Sequence, residues 1–325
     1  MIRDIAQTDS LLPYRVGGLL YTPATNETVA TKIAGGGIPG LSSIAFCLED
    51  AIMDAAVPEA ERQLAETLAE LSEVSVPNRP LMFVRVRNPQ HLAHMHDFLG
   101  DLEQMLTGYV FPKFDAYNAD AYLDTLGGIN AGRRKQLYCM PILESASISR
   151  SEARIETLSK LAMTIGFYHE LVLNIRVGGN DLCSHFGIRR SVSQTIYDVG
   201  VVRDALVDIV NVFGRDYVVS GPVWEYYGSR GDAWENGLRA EMALDAINGF
   251  VGKTAIHPSQ LPVIHDALMV TREDFEDAKA VIHWDNGNNA VSGGCRQDRM
   301  NELKCHSKWA RKILCLANVY GVKDG

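Results

Sequence analysis

The sequence holds no uninterrupted apolar run of the ~18 residues that a membrane-spanning helix needs, so no span and no membrane partner are expected. Its opening segment, MIRDIAQTDS (1–10), is charged and polar and lacks the apolar core of a secretory signal, which points to a cytoplasmic setting. Positive charge is in short supply: 31 Lys and Arg stand against 40 Asp and Glu, a net charge of −9. That balance argues against a nucleic-acid partner. It still allows a small anionic substrate, because a few arginines can reverse the field within one pocket. Cysteine is sparse, 6 in 325 residues, and no two have the close spacing of a zinc motif. Cys47 and Cys139 lie in apolar runs, as reduced buried thiols do. Cys295, Cys305 and Cys315 recur every 10 residues with His306 nearby, but without a close-spaced pair they make a weak metal candidate. A Gly-rich phosphate turn after the first apolar run is also missing; TPATNETVA (22–30) stands there instead. An open doubly wound sheet normally carries such a turn. GGGIPG (35–40) follows a helical stretch and reads as a helix stop and turn.

What is present is a repeated beat. Hydrophobic residues make up 46% and charged residues 22%, ordinary for a globular chain. Eight short apolar runs punctuate it: GGLLYT (17–22), SIAFCL (43–48), LMFVRVR (81–87), GYVFP (108–112), QLYCMPIL (136–143), LVLNIRVG (171–178), DYVVS (216–220) and GKTAI (252–256). They are rich in β-branched residues and do not alternate strictly, which suits strands covered on both faces. Amphipathic stretches lie between them, among them residues 58–72, 154–165 and 195–213. In the first, Pro58 suits an opening turn, and Leu64, Leu68 and Leu71 mark one face. Strand–helix alternation predicts a parallel sheet with right-handed crossovers. The fold class is therefore α/β, a (β/α)8 TIM barrel over residues 1–280. Residues 281–325 form a C-terminal arm or lid: a Gly- and Asn-rich stretch, 281–304, then an amphipathic helix, 307–321.

A barrel of this kind carries its chemistry on the loops at the C-terminal strand ends. The residues delivered there are Glu49, Asp50, Arg85, Arg87, Glu144 and Asp181. Glu144 and Asp181 each end a strand, and two carboxylates completed by water are a usual site for Mg2+ or Mn2+. The competing reading makes each acid a cap for the helix that follows. Arg85 and Arg87 stand two apart on one strand and so share a face. Guanidinium groups there would grip a carboxylate with two prongs, or pair with neighbouring acids such as Glu49. Lys113 occupies a position where a Schiff-base aldolase would carry its amine, but the metal reading favours a lysine salt-bridged to the acids. His257, between Ile256 and Pro258, reads as a strand-end residue rather than a base.

Seven segments, in order, resemble the citrate lyase β-subunit/malyl-CoA lyase/2-keto-acid aldolase family: GGLLYTPATN (17–26), CLEDAI (47–52), VRVRN (84–88), FPKFD (111–115), PILESA (141–146), GGNDL (178–182) and GKTAIHPSQ (252–260). The resemblance spans almost the whole chain. It implies a TIM-barrel carbon–carbon lyase that breaks or forms an aldol-type bond through a metal-stabilised enolate. By it, Glu144 and Asp181 hold the metal, and Arg85 binds a carboxylate or the reacting carbonyl. Glu49 and Asp50 order water or orient Arg85. Asn26, Arg87 and Lys113 join Arg85 as candidate substrate contacts, and Asp298 is a weaker candidate for a lid acid reaching a neighbouring subunit. A homo-oligomer, trimer or hexamer, is likewise implied.

The chain also departs from the family. Members that use CoA commonly carry an arginine just after the opening turn, and here no arginine follows that turn until Arg62. Arg87 replaces the family's Asn, and Arg176 adds a charge before the GGND loop. A free carboxylated or phosphorylated substrate is therefore expected in place of a standard CoA thioester. The alternatives are a metal-dependent transferase or thioester hydrolase on the same site, and a non-catalytic barrel subunit.

Overall fold

The computed structural model describes residues 8–228 and 231–324; the polar segment before residue 8 lies outside them. All eight expected strands form: β1 Gly18–Pro23, β2 Ser43–Cys47, β3 Leu81–Arg85, β4 Gly108–Phe111, β5 Tyr138–Leu143, β6 Ile175–Val177, β7 Val219–Ser220 and β8 Lys253–Ala255. Their order is β7-β6-β5-β4-β3-β2-β1-β8, with every ladder parallel. A parallel bridge between Gly221 and Lys253 joins the two ends, so the sheet closes into the TIM barrel. β2 and β3 are buried along their whole length, as strands with helices outside and side chains inside must be. All but β1 are shorter than their apolar runs, β6 and β7 most of all. β3 stops at Arg85 rather than 87. Before β6 the chain winds into a tight turn at His169–Leu171, leaving Val172 only one bridge, to Cys139. β7 keeps just Val219–Ser220.

The amphipathic stretches are helices, including Val57–Glu73, Ser151–Phe167 and Gly200–Phe213. In the first, Pro58 sits in the opening turn, and Leu64, Leu68 and Leu71 are fully buried. Residues 196–198 form a separate short turn, so the third helix starts at Gly200. No helix among the described residues is long and apolar enough to cross a membrane.

The joint between β7 and β8 is made differently from the other seven. There the ladder is replaced by two backbone bonds, Gly221 N–H to Gly252 O at 3.0 Å and Val251 N–H to Val219 O at 2.8 Å. A buried charge cluster supplements them. The Lys253 ammonium, wholly buried, donates to the Pro222 carbonyl at 2.7 Å and to Glu241 at 2.9 Å, and pairs with Asp245 at 2.8 Å. Arg190 pairs with Glu241, and the Tyr197 hydroxyl donates to Asp245 at 2.8 Å. Breaking a buried pair by removing one partner typically costs about 3–5 kcal/mol, because the other charge stays behind. Lys253→Met is therefore expected to lose about that much in chemical denaturation; a loss under about 1 kcal/mol would show the cluster is not holding the joint.

The chain forms two compact units. One is the barrel, Val16–Ile264; the other joins the segment ending at Arg15 to the chain from His265 onward. In the second, helix Arg272–Ile282 packs on helix Leu303–Tyr320 through Ala278, Val281 and Ala310, with Trp284 and Trp309 beside them. The helix expected at 307–321 is thus present and begins earlier. Between the two helices an antiparallel hairpin pairs Val291–Gly293 with Met300–Glu302. Asp277 fastens it by accepting from the Cys295 N–H at 2.6 Å and the Arg299 Nε at 2.5 Å. Asp298 is exposed in the hairpin loop. Cys295 and Cys305 are exposed and Cys315 is buried.

Candidate active site

The loops leaving β2, β3, β4, β5 and β6 bring one arginine, one lysine and four carboxylates together. After β2, the Leu48 N–H donates to the Arg85 carbonyl at 3.0 Å, which fixes the Leu-Glu-Asp turn against the end of β3. Glu49 and Asp50 consequently meet one nitrogen, Arg85 Nη2, at 2.5 and 2.7 Å. The Asp50 N–H also donates to Glu49 Oε2 at 2.8 Å. Arg85 is only 7% exposed and lies over the Tyr21 ring, 5.6 Å from its centroid. Burial alone would favour its discharge, but the Tyr21 oxygen, Glu49 and Glu144 outweigh burial and hold it charged. Burial pushes the Glu49 carboxyl up, opposed by Arg85. At Asp50 burial is overcome by Arg85, Glu49 and Lys113, and its carboxyl is held down.

Lys113 follows β4 in the left-handed backbone region, φ 49°, where a residue with a β-carbon carries a strain of order 1–3 kcal/mol. That conformation turns its backbone N–H onto Glu144 Oε1 at 2.9 Å. Its ammonium touches Asp181 and lies 3.4 Å from Asp50 and 3.5 Å from Glu144. Burial would lower the Lys113 pKa, but Glu144, Asp181 and Asp50 together raise it. It is an ammonium ion, and a Schiff-base nucleophile must be a free amine. Glu144, 2% exposed, is pushed up to about 7, chiefly by burial and also by Asp181, against the pull of Arg85 and Lys113. A cavity of about 210 Å3 opens beside these groups, lined by Tyr21, Arg85, Glu144, Arg176, Asp181 and Thr254 among others.

The donor set fits a hard divalent cation. Glu144 and Asp181 already converge on one positive charge, the Lys113 ammonium, and offer oxygen ligands only. Among the described residues no three His, Cys, Asp or Glu side chains form a complete ligand set, so water or substrate oxygens would fill the remaining positions. Gly178 keeps space for one of the two acids: a β-carbon there would fall 1.8 Å from Glu144 Oε2 and 2.5 Å from Glu144 Cβ. The second contact is with the rigid root of the side chain, so Glu144 cannot swing clear. Gly178→Ala is expected to weaken Mg2+ or Mn2+ binding by roughly 10–100-fold in calorimetry, the usual cost of disturbing a ligand's support. An unchanged affinity would contradict this placement of Glu144.

The model of the C–C bond lyase family of the TIM-barrel fold matches residues 10–322. The chain belongs to that family, and it is a carbon–carbon lyase. No curated protein matches it. Among solved structures the family likeness is one of fold. CitE of Mycobacterium tuberculosis, in complex with magnesium, acetoacetate and coenzyme A, is 18% identical, covers 94% of this chain and 99% of its own, and has a TM-score of 0.60. A citrate lyase of Burkholderia xenovorans LB400 is 15% identical over 95% of this chain and 93% of its own, TM-score 0.67. The citrate lyase β subunit of M. tuberculosis with oxaloacetate and magnesium is 19% identical over 78% of this chain and 98% of its own, TM-score 0.51.

The structure thus brings Glu49, Asp50, Arg85, Lys113, Glu144 and Asp181 together. It places Arg87 and Asn26 elsewhere. Because β3 ends at Arg85, the chain turns and Arg87 leaves the shared face; its guanidinium donates to the Leu48 carbonyl at 3.1 Å and pairs with Asp54. Asn26 braces the opening turn, donating to Thr22 Oγ1 at 3.0 Å and accepting from Thr28. His257 stacks on Tyr227 and shares a hydrogen bond with Ser259 at 2.9 Å. Sequence reasoning does not single out Tyr21 or Thr254. Nothing in a short apolar strand tells which polar-tipped side chain will face the cavity.

Proposed function

We propose that this lyase cleaves or forms a carbon–carbon bond in a small free carboxylic acid through an enolate, with Mg2+ or Mn2+ held by Glu144 and Asp181. The observation carrying the reading is the meeting of three carboxylates around one cation beside a buried arginine. A divalent cation there would lower the energy of negative charge on an enolate oxygen. Arg85 binds the substrate's carboxylate or developing oxyanion, since it is buried, charged and anchored at one nitrogen only. Glu49 and Asp50 position it. Lys113 compensates Asp50, Glu144 and Asp181, and a bound cation would take over that compensation.

Two features support a free acid over a CoA thioester. No arginine follows the opening turn, and the cavity is smaller than the roughly 300–1,000 Å3 of pockets that enclose drug-sized ligands. The two M. tuberculosis structures named above hold magnesium, one with acetoacetate and coenzyme A and the other with oxaloacetate. The test is metal-dependent release of pyruvate, oxaloacetate or acetate from a panel of free hydroxy acids and their CoA thioesters. Turnover of free acids that requires Mg2+ or Mn2+ is the expected result. Faster turnover of the thioesters would overturn the free-acid assignment, and metal-independent turnover would overturn the metal site.

A further inference from the structure

Among the described residues, Arg176 is the guanidinium in the cavity wall that pairs with no carboxylate. It lies on β6, 1% exposed, and its Nη2 donates to the neutral Thr254 hydroxyl at 2.7 Å. Its Nε and Nη1 have no hydrogen-bond partner among the described residues. The other titratable group that bears on it is the half-buried Tyr21 phenol, a neutral hydroxyl whose pKa burial raises and which hydrogen-bonds to the guanidinium. Arg85, Arg154 and Arg190, also buried, each pair with a carboxylate. An isolated buried charge is among the most costly things a fold can contain, and it persists where something pairs with it. Arg85 Nε is also buried and without a partner in the same cavity.

We propose that Arg176 is the receptor for a second anionic group of the substrate, held between Tyr21 and Thr254 while Arg85 takes the first. This rests on the reading of the cavity as the substrate site. The substrate is then a short dianion, a dicarboxylate or a phosphorylated acid, gripped at two points by two guanidinium groups on β3 and β6. Guanidinium is suited to the task, because its fixed fork gives two parallel bonds to one carboxylate or phosphate. Substrates with one anionic group leave Arg176 buried and unpaired, so selectivity against them comes from the empty receptor.

The test compares succinate, propionate and inorganic phosphate as probes on metal-stripped protein, by calorimetry and thermal shift, in wild type, Arg176→Met and Arg176→Lys. Wild type is expected to bind succinate at least about tenfold more tightly than propionate, the worth of one charge-assisted contact. Arg176→Met should bring the two within about twofold, with Arg176→Lys between. Ligand-free Arg176→Met should melt at or above wild type, because an unpaired buried charge is gone; an arginine serving structure alone would melt lower. Binding of phosphate that depends on Arg176 would assign the second group to a phosphorylated acid rather than a dicarboxylate. An unchanged succinate preference in Arg176→Met, or no preference in wild type, overturns the proposal. If Arg176→Met does not fold, Arg176→Lys with unaltered selectivity overturns it equally. Mg2+ titration of the same proteins is read separately: absent metal binding in wild type would sink the metal-lyase reading and leave the anion comparison standing.

Discussion

Asp181→Ala or Glu144→Ala is expected to abolish stoichiometric Mg2+ and Mn2+ binding and to lower kcat/KM by a factor of roughly 10²–10³, about 3–4 kcal/mol of transition-state stabilisation. Each change removes one of the two carboxylates proposed to hold the ion, and a hydrated Mg2+ is typically held by only one or two. The substitutions differ in their side effects. Asp181 is a third exposed, and its loss frees the Lys113 ammonium from its nearest partner. Glu144 is buried and also accepts the Lys113 backbone N–H, so its loss leaves a donor unsatisfied and releases a strained turn. Glu144→Ala should therefore lower the melting temperature of metal-stripped protein, and Asp181→Ala should do so much less. Calorimetric metal titration decides the matter. Stoichiometric, undiminished binding in Asp181→Ala would remove the metal from this part of the barrel.

Arg85→Lys is expected to cost nearly as much, a fall in kcat/KM of roughly 10²-fold, despite conserving the charge. Glu49 and Asp50 both engage Nη2, and Nε is left without a partner. A lysine has one nitrogen for both tasks. It can satisfy the two acids or reach the substrate, but it lacks the fork that does both. Arg85→Ala should add a loss of stability, because Glu49, with a side chain 12% exposed, then sits unpaired. The steady-state constants separate two roles for the arginine. A loss confined to kcat points to charge that develops in the transition state, and a rise in KM points to a carboxylate already held in the ground state. Activity of Arg85→Lys within threefold of wild type would make the arginine a structural counter-ion only.

The barrel was legible because each strand is covered on both faces, which writes a short apolar run into the sequence whatever its partners. The acids at the run ends were legible for the same reason: Glu144 and Asp181 are the first acidic residues after the apolar runs of β5 and β6. Strand length was not legible. Val172 and Tyr217 are as apolar as their neighbours, yet whether they pair depends on a strand far away in sequence. Arg87 shows how that propagates. The two-residue period that would pair it with Arg85 holds only while β3 continues, and β3 stops at Arg85. The left-handed turn at Lys113, the space reserved by Gly178 and the isolation of Arg176 are properties of contacts between separate strands. No local pattern encodes them. The Lys253 cluster is the same kind of case, drawn from positions 190, 197, 241, 245 and 253.

That cluster makes the barrel a ring with a clasp. Tearing a ladder between two apolar strands exposes backbone and hydrocarbon together, both at a cost. Parting β7 from β8 exposes Lys253, Glu241 and Asp245 as well, and water repays much of what their burial took. The ring should therefore breathe at the clasp first, releasing one edge while seven ladders stay closed. A chain cut and rejoined to begin at β8 would place its new ends where the ring already parts most easily, leaving the strand ends that carry Glu49, Arg85, Lys113, Glu144 and Asp181 in unbroken succession.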